Sequence, residues 1–133
     1  VPDALAVTGN SKAVYVVDGN SDTVTAITAA TGQPGQQIAV GYSPVAVGIS
    51  RSTAYVVNAI SGTVTPVSTT TGRAGRALSV GAYSYPTTLA FAGSVAVVLD
   101  TYAGQVSVID TRTEHVYAPI TVGDFLGAVA ISG

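Results

Sequence analysis

The chain has 133 residues, of which 47% are hydrophobic and 9% charged, and its net charge is −2. That is the size of one small domain, with enough apolar residues for a core and too few charges for a disordered tail. The charge balance excludes the basic footprint of nucleic-acid binding, the lack of cysteine excludes disulfides and thiolate metal sites, and no apolar run of about twenty residues predicts membrane insertion.

In chain order, short runs rich in Val, Ile, Thr and Tyr alternate with Gly, Asn, Ser and Asp clusters, the signature of strands and turns. The first four predicted strands are 4–7, 13–17, 23–27 and 37–40. The next four are 45–49, 53–57, 63–67 and 77–80, and the third set is 88–91, 94–99, 105–109 and 117–122. A lone strand over 128–131 follows. Nowhere does a helical apolar period persist.

The three sets are copies. Tyr15-Val16-Val17-Asp18 returns 40 residues on as Tyr55-Val56-Val57-Asn58, and 42 further on as Val97-Val98-Leu99-Asp100. Val40-Gly41 recurs as Val80-Gly81 and Val122-Gly123, and Thr31-Gly32 as Thr71-Gly72. Pro2, Pro44 and Pro86 precede the first strand of each unit, where a missing N–H does little harm. Four antiparallel strands repeating about every 40 residues predict an all-β fold of propeller blades. Blade 1 covers about 1–41, blade 2 about 42–81 and blade 3 about 82–123, and 124–133 opens a further blade.

On these markers, together with Val106-Ser107-Val108-Ile109-Asp110-Thr111, the chain resembles the YVTN family of β-propeller repeats. The resemblance spans essentially the whole chain; it implies a fold and leaves function open. The third unit departs, with Val97-Val98-Leu99-Asp100 lacking the tyrosine and Thr113-Glu114 in place of Thr-Gly. Propellers close with about four to eight blades, so three blades predict a partner: a homo-oligomer, or the remaining blades of a longer propeller. The start at Val1 and the absence of Met predict a processed or excised piece. The Ala, Val, Thr, Ser and Gly bias with a single Lys predicts an exported bacterial protein, extracellular or at the cell surface.

Asp18, Asn58 and Asp100 share one position at the end of the second strand of each unit. They read either as oxygen ligands on one face or, better given the repetition, as turn-forming Asx residues. His115 lies in a turn with Arg112 and Glu114, without the oriented partner that acid–base catalysis needs, and no cofactor or metal motif is present. Strand direction places the second-to-third-strand loops and the inter-blade linkers on one face. There Tyr42, Tyr83, Tyr85, Tyr102 and Phe125 gather with Asp18, Asn58 and Asp100, a makeup suited to recognition of a protein or carbohydrate ligand. The leading expectation is a non-enzymatic binding module. The alternatives are part of a lactonase- or lyase-type propeller enzyme whose catalytic residues lie in other blades, and a structural surface-layer or cell-wall repeat.

Overall fold

The structure, a computed structural model, describes residues 1–81, 85–123 and 127–130. Three antiparallel sheets follow one another along the chain. The first contains β1 (Pro2–Val7), β2 (Ala13–Asp18), β3 (Thr23–Thr28) and β4 (Pro34–Ala39). The second contains β5 (Pro44–Ser50), β6 (Thr53–Asn58), β7 (Thr63–Ser68) and β8 (Leu78–Ser79). The third contains β9 (Pro86–Ala92), β10 (Val95–Asp100) and β11 (Gln105–Asp110), with β12 (His115–Val116) and β13 (Ile120–Thr121) both paired to β11. The strands of each sheet are called a to d in order. Each strand a opens on one of the prolines, at the residue where a strand tolerates proline best.

Two expectations on strand d need correction. In the second sheet it shrinks to Leu78–Ser79 plus a single bridge from Ala74 to Val67. In the third it splits into β12 and β13 around Pro119, which has no N–H to offer a ladder. Tyr117 still donates its N–H to the Val108 carbonyl at 2.9 Å. The strand expected over 128–131 is also absent from its described part: residues 127–130 form no ladder, and Ile131 lies outside the described residues. A fourth strand a has no following strand b in these 133 residues to pair with.

The turns repeat in conformation as well as in place. The a–b turns put Ser11, Arg51 and Gly93 at φ of 59°, 55° and 54°. The b–c turns do the same with Asp22, Gly62 and Gly104, and the c–d turns with Gly32, Gly72 and Glu114. Thr113-Glu114 therefore makes the same turn as the two Thr-Gly pairs, in a left-handed conformation that L residues adopt at a cost of about 1–2 kcal/mol.

The sheets stack face to face, and their a and b strands make the approaches: β1 and β2 meet β5, and β5 and β6 meet β9. Tyr15, Val17 and Val24 of the first sheet bury against Ala54, Val56 and Val67 of the second. On its other face the second sheet packs Tyr55, Val57, Val64 and Leu78 against Ala96, Val98 and Ile109 of the third. The Tyr55 and Phe91 rings lie 5.6 Å apart at this second junction. The middle sheet is covered on both sides, so β6 is buried almost throughout, whereas the near-identical β2 alternates between buried and half-buried. The uncovered face of the first sheet leaves Leu5 and Val7 exposed.

Candidate functional site

The b–c turns and the linkers from strand d to the next strand a form one face, held by hydrogen bonds between them. Val40 N–H donates to the Asp22 carbonyl at 3.0 Å and Val80 N–H to the Gly62 carbonyl at 3.0 Å. Side chains tighten the same joints. Asp22 Oδ1 accepts the Ser43 N–H at 2.8 Å, Ser61 Oγ accepts the Tyr42 N–H at 2.8 Å, and Asp3 Oδ2 accepts the Gly19 N–H at 2.7 Å. Asp18 Oδ1 accepts from the Asn20 and Ser21 N–H groups at 2.9 and 3.3 Å, and its carboxylate meets the Val1 ammonium at 3.2 Å. The Asn20 N–H, then the ammonium, hold the Asp18 carboxyl below its ordinary range. These acids fix loops, as Asx residues do.

Asn58 and Asp100 lie under the face, fully buried, so neither presents atoms to a ligand on it. Asn58 Nδ2 donates to Thr63 Oγ1 at 3.1 Å and to Thr65 Oγ1 at 2.9 Å, while its Oδ1 accepts no hydrogen bond among the described residues. Gly41 of the linker lies directly over it: a Cβ on Gly41 would fall 2.8 Å from Asn58 Cγ. Asp100 makes the equivalent contact with Ser107, whose Oγ approaches its Oδ2 at 3.4 Å and donates to the Val80 carbonyl at 3.0 Å. An oxygen-ligand ring is not formed by residues shielded in this way, and the described residues contain no cluster of three or more metal-ligating side chains.

The aromatic candidates do reach the surface. Tyr42 is 67% exposed, Tyr102 69% and Tyr85 45%. Tyr85, in the linker to the third sheet, meets Tyr102, in its b–c turn, edge to face with centroids 5.6 Å apart. Tyr85 is held at φ 50°, the conformation of Ser43 in the preceding linker, and both residues stand directly before a proline. Tyr83 and Phe125 lie outside the described residues. The sequence reading missed Ile60, which is 60% exposed and takes the same third position of its b–c turn as Tyr102. That shared position was the available signal. His115 lies on the opposite side, at the start of β12 directly after the c–d turn, with its ring edge-on to Tyr117 at 4.6 Å.

With this geometry the chain is similar in structure to hydrazine synthase of Kuenenia stuttgartiensis, at 22% identity and a TM-score of 0.86, over 93% of this chain and 36% of that one. It is also similar to virginiamycin B lyase of Staphylococcus aureus, at 9% identity and TM-score 0.78, over 92% of this chain and 42% of the lyase. A third likeness is to the WD40 repeats of RRP9, at 15% identity and TM-score 0.71, over 86% and 35%. The fold is that of β-propeller blades. The chain spans less than half the length of each of these three proteins, which include both an enzyme and a repeat domain. No family model and no curated protein matches the sequence.

Proposed function

We propose that this chain is a non-enzymatic recognition module of an exported protein, of the YVTN type, that holds a protein or carbohydrate ligand on the face formed by its b–c turns and linkers. The observation that carries this reading is the Tyr85–Tyr102 pair, exposed and braced by a left-handed backbone, with Tyr42 and Ile60 on neighbouring loops of the same face. Rigid aromatic side chains on a hydrogen-bonded scaffold supply contact area at small entropic cost. The repeat Tyr-Val-Val-Asx and the Thr-Gly turns support the family.

Another blade, from a second copy or from the same longer polypeptide, covers the free face of the first sheet in this reading. Leu5, Val7, Val14, Val16 and Ile27 there match in register Val47, Ile49, Ala54, Val56 and Val67, which pack into the junction between the first two sheets. Light scattering of the chain measures which closure operates.

Probing a glycan array and a displayed-peptide library with the labelled chain supplies the ligand. Tyr102→Ala and Tyr42→Ala should each weaken its capture, by about thirtyfold for a central aromatic anchor, with an unchanged urea midpoint. Full binding by the double variant would refute the reading.

A further inference from the structure

The fold sorts the charges. Of the five Lys and Arg residues, Lys12 and Arg51 lie in a–b turns, Arg73 and Arg112 in or beside c–d turns, and Arg76 on the outer edge of the second sheet. None lies on the loop face, which carries Asp3, Asp18 and Asp22 instead, with Asp100 buried beneath it. The acids on the turn face, Asp110 and Glu114, both belong to the third sheet, where Asp110 comes within 3.9 Å of Arg112. The a–b and c–d turns of the first two sheets therefore hold Lys12 and Arg51, with Arg73 beside them, and no acid.

Lys12 and Arg51 line one cleft of about 490 Å³ between the first two sheets, with Asn10, Ser52, Thr69 and Thr70. Neither cation has an ion-pair partner among the described residues. Asn10 uses its side-chain oxygen on the Thr8 hydroxyl at 2.7 Å and the Lys12 N–H at 3.0 Å, which fixes its NH₂ as a further donor. The hydroxyls of Ser52, Thr69 and Thr70 are not engaged by other described residues. Arg51 stands at φ 55°. Ser11 and Gly93 fill the same turn position in the other two sheets, so Arg51 places a long cation where small residues otherwise stand, and backbone strain of this kind collects at functional sites.

We propose that this cleft is an oxyanion site, taking a phosphate or sulfate group that is either free or carried on an acidic glycan. The guanidinium offers a planar fork to two oxygens, the ammonium a mobile point charge, and the hydroxyls and the Asn10 amide neutral donors. The site lies on the face opposite the aromatic loops and stands independently of what they bind.

The test is an amide-shift titration of the chain at constant ionic strength with sodium phosphate, sodium sulfate and a sulfated oligosaccharide. Saturable shifts should centre on residues 10–13, 51–52 and 69–70. Lys12→Gln and Arg51→Gln should each raise the Kd about tenfold, and Arg112→Gln, across the same face, should leave it unchanged. Arg51→Gly relieves the left-handed turn, so it should lose binding while the fold becomes no less stable, which separates a binding role from a structural one. Tighter binding of the oligosaccharide with the same variant sensitivities assigns a glycan-borne group; equal affinities assign the free ion. Shifts that do not saturate, or that Arg112→Gln weakens as much as Arg51→Gln, would overturn the proposal in favour of diffuse charge attraction.

Discussion

Gly48, in β5, marks a close approach between the second and third sheets. A Cβ built there would stand 2.5 Å from Phe91 Cε2, 3.2 Å from its Cζ and 3.5 Å from Leu89 Cδ2. Ordinary contact needs roughly 1 Å more than the first of these, and the Phe91 ring cannot simply swing away because Tyr55 backs it at 5.6 Å. Gly48→Ala should therefore cost about 1–3 kcal/mol, the range for overpacking a filled core. The first junction shows how to relieve it. In register, Gly48 corresponds to Ala6 and Phe91 to Ile49, so a larger residue on one sheet is balanced by a smaller one on the other. Phe91→Ile alone should leave a void and cost about 1–2 kcal/mol. Combined with Gly48→Ala it restores the Ala–Ile pair, and the double variant should lose less than the sum of the two. Urea midpoints at unchanged m-value measure all three. Strict additivity, or a neutral Gly48→Ala, would refute the claim that shape complementarity at this junction sets the choice of glycine.

Glu114→Gly should stabilise the fold by about 0.5–1 kcal/mol, read as a raised urea midpoint, because the side chain at φ 60° costs more than the added freedom of the unfolded chain; a lowered midpoint would show that the carboxylate contributes something the turn geometry does not. Asn58→Ala should destabilise by about 1–2 kcal/mol, since it strips Thr65, itself buried, of its partner, and the release of the unsatisfied Oδ1 offsets part of that loss. The Arg112 N–H holds the Asp110 carboxyl below its ordinary range, as the Asn20 N–H does for Asp18. A depressed folded value means that the stabilisation is complete above the unfolded pKa and is lost as pH falls through the folded one. Acidification from about pH 5 to about pH 2 should thus lower the unfolding midpoint, and Asp110→Asn should flatten the decline; a midpoint that rises on acidification would contradict the assignment.

The repeated markers made the strand order legible, because each turn position recurs three times with one conformation. Burial was less legible. Tyr15-Val16-Val17-Asp18 and Tyr55-Val56-Val57-Asn58 read alike, yet only the second is enclosed on both faces, since a strand's neighbours in the stack are absent from its own residues. Asn58 and Asp100 were placed on the correct side of the molecule but one layer too high. Gly41 reveals the cover over Asn58 only once its distance is known. Ile60 escaped notice because its turn was read for Asx and Gly chemistry rather than for what its tip exposes. The split of the last outer strand was signalled by Pro119, which the Val-Gly marker beyond it obscured.

That split also bears on how the molecule meets its own kind. An outermost strand offers a row of unpaired N–H and C=O groups to any passing chain, and natural sheets shorten or break such rows. The second and third sheets end in pieces of two residues each, too short to template a partner. The first sheet ends in β4, six residues long, largely exposed and free of lysine. Among the d edges of the described structure, the rim of the first sheet therefore offers the longest row for edge-to-edge recruitment, if concentration or partial unfolding forces it.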